Sequence, residues 1–122
     1  MAFSTSLLDD RVTNIVAVET VLLAAGQNDM TGNPATLHSI TINNGSAATC
    51  YVFLYDARSA VTGQTPVLTF MVPTGQLRSY DFPDGIVFAT GICARATDNE
   101  AQNSAVSPGG GNVIVRLLAI RT

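Results

Sequence analysis

Apolar and polar residues alternate in short runs along most of this chain, and the runs are rich in β-branched and aromatic side chains. That pattern predicts strands, with Gly, Pro, Asn and Asp clusters marking the turns between them. The first candidate spans residues 12–23, where Val16, Val18 and Leu22 fall on alternating positions and β-branched crowding disfavours a helix. Residues 26–34 break the run. Residues 37–42 follow, with Ile40 and Ile42 on one face together with His38, and Ser39 and Thr41 on the other. Asn43, Asn44, Gly45 and Ser46 read as a hairpin-type turn.

Residues 50–55 alternate Cys50, Val52 and Leu54 against Tyr51, Phe53 and Tyr55, so both faces of this strand are apolar and both require cover. Further strands are predicted over 67–72, 77–82, 86–89, 92–96 and 112–120. The turns between them are Pro73-Thr74-Gly75, Pro83-Asp84-Gly85 and a bend at Gly91. Residues 97–111 are small, polar and glycine-rich, and read as a flexible loop. The sum is about eight strands, no helix and no internal repeat, which predicts an all-β antiparallel β-sandwich of jelly-roll type. Residues 1–12 show no clear period and read as a loose N-terminal arm, leaving residues 13–122 as a single domain.

Charge changes this picture from fold to surface. Charged residues make up only 12% of the chain, mean hydropathy is +0.29, and all six basic residues are arginine. An ordinary soluble domain carries about 25% charged residues, and lysine is the cation that protein interfaces exclude while arginine is tolerated there. A weakly charged, lysine-free chain therefore predicts an exterior covered in large part by other proteins. The net charge of −3 and the scattered arginines exclude a phosphate-binding stripe, so no nucleic-acid partner is expected. The first ten residues lack a positive n-region with a long apolar run, and no stretch reaches the roughly 18 apolar residues of a membrane span, so neither a secretory signal nor a membrane partner is expected.

Candidate chemistry is sparse. Cys50 and Cys93 each lie in an apolar run and read as free, buried small hydrophobes. The single histidine, His38, has no nucleophile motif beside it, and Cys50, Cys93 and His38 lack metal-ligand spacing. The oxygens of Asp98, Asn99, Glu100, Gln102 and Asn103 do not follow a calcium-loop pattern. Asp81 and Asp84 could be imagined as an acid/base pair, but a turn beside Pro83 and Gly85 accounts for them. Gly109-Gly110-Gly111 lacks the Lys-Ser/Thr of a phosphate loop and reads as hinge material. Tyr51, Tyr55, Tyr80 and Phe82 could form a sugar-stacking platform, yet core packing is the simpler explanation and the chain has no tryptophan. No catalytic residue, metal or cofactor is assigned, and the chain reads as a non-enzyme.

One resemblance adds context. The stretch from Leu37 to Thr97, through its segments Leu37 to Gly45, Tyr51 to Asp56, Gly63 to Pro73, Asp81 to Ile92 and Ala94 to Thr97, resembles a recurring pattern in a family of short phage and prophage proteins. It covers about half the chain and consists mostly of turn and core residues. The resemblance implies a capsid decoration (cement) protein, made in the host cytoplasm and bound to the outer capsid surface. Its partners would be the major capsid protein and further copies of itself as a dimer or trimer. The residues assigned to partner binding in that setting are Phe3, Leu7 and Leu8 of the arm for shell contact, with Arg58 and Arg78 as polar anchors. The alternative is a tail, fibre or baseplate module that binds a host receptor or glycan through residues 97–111 or 56–65.

Overall fold

A computed structural model of the chain describes residues 14–19, 22, 34–58, 65–100 and 107–121. These form seven strands and no helix: β1 (Asn14–Glu19), β2 (Ala35–Asn44), β3 (Cys50–Asp56), β4 (Leu68–Val72), β5 (Leu77–Phe88), β6 (Ile92–Thr97) and β7 (Val113–Arg121). They pair antiparallel in two sheets, a four-stranded one in the order β1-β7-β2-β5 and a three-stranded one in the order β4-β3-β6. The all-β antiparallel expectation is met at this level. The arm, with Phe3, Leu7 and Leu8, lies outside the described residues.

The strand count departs from about eight because two expected strands, 77–82 and 86–89, are one. Pro83-Asp84-Gly85 does not end the strand: pairing jumps from Leu37↔Ile86 to Ser39↔Asp81, leaving Phe82 to Gly85 opposite His38 alone. β5 is an edge strand of its sheet, where a proline costs no central ladder bond. Gly85 adopts φ +76°, and a Cβ there would stand 2.3 Å from the Thr36 methyl group and 3.1 Å from the His38 ring. The irregularity thus closes only around glycine.

His38 is also the extra residue of β2 against β7, where Leu37 pairs with Ala119 and Ser39 with Leu118. This bulge breaks the expected alternation. Ala35, Leu37, Ile40 and Ile42 are the buried apolar residues of β2, and His38 does not join Ile40 and Ile42 on the core face.

The main core is a cluster fed by both sheets. Ile40, Ile42, Val115 and Leu117 from the four-stranded sheet meet Val52, Leu54, Phe70, Val72, Ala94 and Ala96 from the three-stranded one. The expected hairpin at Asn43 to Ser46 is instead a crossing between sheets, since β2 and β3 belong to different ones. Asn44 is fully buried and holds this crossing. Its Nδ2 donates to the carbonyls of Ala48 and Val72, and its Oδ1 accepts from the Ser46 amide and hydroxyl. The glycines after Ser107 pack against the same crossing: Ala47 N–H donates to the Gly109 carbonyl, and a Cβ on Gly111 would fall 1.9 Å from the Gly45 oxygen. Gly110 and Gly111 therefore form a tight junction, contrary to the hinge expected over Gly109 to Gly111.

Candidate functional site

Two strands carry apolar residues on both faces, and the fold treats them oppositely. On β3 the second face is covered. Phe53 is 1% exposed, and Tyr55, Cys93 and Arg95 are 0% exposed. β6 supplies the cross-strand partners through Phe53↔Arg95 and Tyr55↔Cys93. The Arg95 guanidinium donates to the Tyr55 hydroxyl at 3.0 Å and lies 5.7 Å from the Phe53 ring centre. A hydroxyl and an aromatic face are thus among the groups that hold this buried cation. The cover demanded by the two-sided strand 50–55 comes from within the chain.

On β7 the second face is open. Ile114, Arg116, Leu118 and Ile120 alternate with the buried Val113, Val115, Leu117 and Ala119. Register places Val18 beside Arg116, Thr36 between Ile120 and Val87, Ser39 between Leu118 and Asp81, Thr41 between Arg116 and Ser79, and Asn43 between Ile114 and Leu77. All of these side chains share the outer face of the four-stranded sheet, because residues paired across strands point the same way. The Thr41 and Ser79 hydroxyls, 3.1 Å apart, bear this out.

Of the seven exposed large hydrophobic residues among those described, five are on this face: Val18, Leu77, Val87, Leu118 and Ile120, between 38% and 66% exposed. A shallow depression lined by Thr41, Asn43, Leu77, Ile114 and Arg116 marks one end of it. Among the described side chains the face carries aliphatic groups on β1, β7 and β5, a central stripe of small hydroxyl and amide side chains on β2, and two ionised groups placed there by register, Arg116 and Asp81. Both are exposed. A solvated antiparallel sheet normally presents polar residues on its free face, and contiguous apolar exposure of this kind marks interaction sites.

The assigned anchors do not come together. Arg58 follows β3 beside Ala57, whose N–H donates to the Gly91 carbonyl, whereas Arg78 pairs with Ile42 and donates to Gln76 Oε1 at 3.0 Å. They lie toward opposite ends of β5, and both are exposed. Next to Arg58 along the chain, the Asp56 carboxylate accepts the backbone N–H groups of Ala89, Thr90 and Gly91, fixing the turn into β6. Reading the sequence missed the open face of β7, although its 112–120 alternation carried the same signal as 50–55. It also missed Arg95 as an interior residue.

The other candidate groups disperse. Tyr55 belongs to the covered face of β3, while Tyr80 and Phe82 pack on the main core, with Tyr80 4.7 Å from the Phe70 ring. They form no common platform. Neither Cys50 nor Cys93 is in a disulfide; both are buried, on opposite faces of the three-stranded sheet, with the Cys93 Sγ donating to the Ala57 carbonyl, and burial pushes the Cys50 thiol up to about 11. Asp81 and Asp84 are exposed, and no group of three His, Cys, Asp or Glu side chains that could hold a metal occurs among the described residues. Comparison with known protein families, with characterised proteins and with solved structures finds no match to this chain.

Proposed function

We propose that the protein is a structural module that works by burying surface against other proteins, with the outer face of the four-stranded sheet as its principal contact. The observation that carries this reading is the concentration of exposed aliphatic side chains on that one face in a chain without lysine. Burial of such area is favourable at about 25 cal/mol per Å² of apolar surface, and no catalysis is invoked. The setting we propose, from the sequence resemblance, is decoration of a tailed-phage capsid from outside, bridging neighbouring major capsid subunits. Phe3, Leu7 and Leu8 would contact the shell, with Arg58 and Arg78 serving two separate polar contacts, since they stand at different ends of β5. The finer fold reading is a jelly roll. The strand orders β1-β7-β2-β5 and β4-β3-β6, with both sheets feeding one core cluster, support that reading.

Cosedimentation with undecorated tailed-phage shells tests the setting, with stoichiometric binding expected. Absence of binding, together with a positive glycan-array or cell-binding signal, would transfer the module to the tail or fibre.

A further inference from the structure

We propose that Asn44-Gly45 is a self-modifying site that the native fold holds inert and unfolding sets free. In the unfolded chain the Gly45 nitrogen attacks the Asn44 side chain and converts it to a carboxylate, and the converted chain no longer fits the crossing between the sheets. Asn44 is fully buried and does not belong to the open face, so this chemistry is independent of what that face binds.

The crossing itself demands the reactive pair. Position 44 needs a side chain that both donates and accepts, which Asn provides. Its Nδ2 donates to the Val72 carbonyl at 2.8 Å and to the Ala48 carbonyl at 2.9 Å, and its Oδ1 accepts from the Ser46 amide and hydroxyl. Position 45 needs a residue without a side chain, because a Cβ there would stand 2.8 Å from the Asn112 carbonyl oxygen. Asn and Gly are thus forced into succession, at the one Asn-Gly pair of the chain.

The same missing Cβ leaves the Gly45 nitrogen open to approach Cγ of Asn44. Hydroxide removes the Gly45 amide proton, and the nitrogen forms a bond to Cγ. The Cγ–Nδ2 bond breaks, Nδ2 leaves as ammonia with a proton from water, and a five-membered succinimide remains. Water then opens the ring at either carbonyl, giving Asp at position 44 or its isoaspartyl isomer, in which the main chain runs through Cβ. The sum is amide plus water to carboxylate plus ammonium, with no change of oxidation state.

In the native chain the groups that must move are held. Gly45 N–H donates to the Asn112 carbonyl at 2.8 Å, Asn44 N–H to the Gln76 carbonyl at 2.9 Å, and the Asn44 carbonyl accepts from Gly75 N–H at 2.8 Å. Ring closure would break the Gly45 bond and the four side-chain bonds at a position that is 0% exposed. Reaction therefore waits on opening of the crossing, and its rate follows the opened fraction. The product does not fit: an ionised oxygen in the place of Nδ2 meets the Val72 and Ala48 carbonyl oxygens with no hydrogen to share, as a buried charge. The isoaspartyl form adds a main-chain atom where β2 pairs Asn44 with Val113. Unfolding thus becomes irreversible through chemistry on the unfolded chain.

The test compares two samples of the wild-type chain at the same mildly alkaline pH and temperature, one native and one unfolded in guanidinium chloride, both with reductant. Peptide mapping by mass spectrometry follows the mass gained when NH2 is replaced by OH. The unfolded sample is expected to convert at Asn44 at least about a hundredfold faster than the native one, since only a small fraction of a folded domain is open. Asp84-Gly85, the one Asp-Gly pair, isomerises without a change of mass and leaves this reading undisturbed. Asn44→Asp, and the converted chain isolated from the unfolded sample, should each lose at least about a hundredfold in folding equilibrium constant in urea titrations; failure of either to fold at all meets that expectation. Comparable rates in the two samples, conversion of the unfolded chain that spares Asn44, or an Asn44→Asp chain as stable as the wild type would each overturn the proposal.

Discussion

The Arg95 site offers the sharpest quantitative test of the fold. Removing the Tyr55 hydroxyl with Tyr55→Phe deletes the acceptor 3.0 Å from Nη1 of a guanidinium that is 0% exposed. A hydrogen bond to a charged group contributes about 1.5–3 kcal/mol, and the upper part of that range applies where water cannot replace the lost partner. The expected loss is therefore about 2 kcal/mol, with the Phe53 contact at 5.7 Å left intact. Arg95→Met removes the charge and keeps much of the apolar stem, and in that background Tyr55→Phe should cost under about 1 kcal/mol, since the hydroxyl no longer faces a buried cation. The coupling energy of this cycle is expected at about 1–2 kcal/mol, and it cancels whatever else each side chain touches. Equilibrium unfolding in urea reads it as a shift of midpoint at constant slope. A Tyr55→Phe cost below about 0.5 kcal/mol, or equal costs in both backgrounds, would mean that water reaches the second face of β3 and would refute the buried-cation account.

Three further outcomes follow from the geometry. Gly85→Ala meets the Thr36 methyl at a positive φ, so it should destabilise by about 2–3 kcal/mol, the left-handed backbone costing about 1–2 and the clash supplying the rest; a thermal midpoint within about a degree of wild type would sink the bulge explanation. Asp56→Ala strips three backbone N–H groups of their acceptor and should cost about 1–3 kcal/mol, with faster amide exchange confined to residues 89–91 as its signature. Cys50 has an ordinary thiol value of 9.0 and is raised to about 11 in the fold. Between those values the unfolded chain has lost the proton that the native chain keeps. The stabilisation is therefore complete below pH about 9 and declines toward pH about 11, by on the order of 2–3 kcal/mol. Unfolding curves across that window should show the decline in the wild type and lose that component in Cys50→Ala; identical slopes would contradict it.

Period-two alternation and turn chemistry make the strands legible in the sequence. Six of the seven described strands start and stop within a few residues of the expected limits, and both cysteines are buried, as their apolar runs suggest. Pro83 and Gly85 misled because a turn signal and an edge-strand bulge use the same residues, and only the partner strand distinguishes them. Asn44 and Gly111 misled similarly: an Asn-Gly pair permits a hairpin turn, yet here it serves a crossing between sheets with Gly111 pressed against it.

What the chain's sequence determined by itself is that apolar residues line both faces of more than one strand, in a chain with only 12% charged residues. The strands are 50–55 and 112–120. Which of them would be covered was decided by the tertiary structure. Alternation assigns a residue to one of two faces but carries no information on what lies beyond each face. The fold closes the chain over Phe53, Tyr55 and Arg95 and leaves Leu118, Ile120 and Val87 to the outside. The open surface is thus fixed by long-range packing, while the two-sided apolar pattern was written locally.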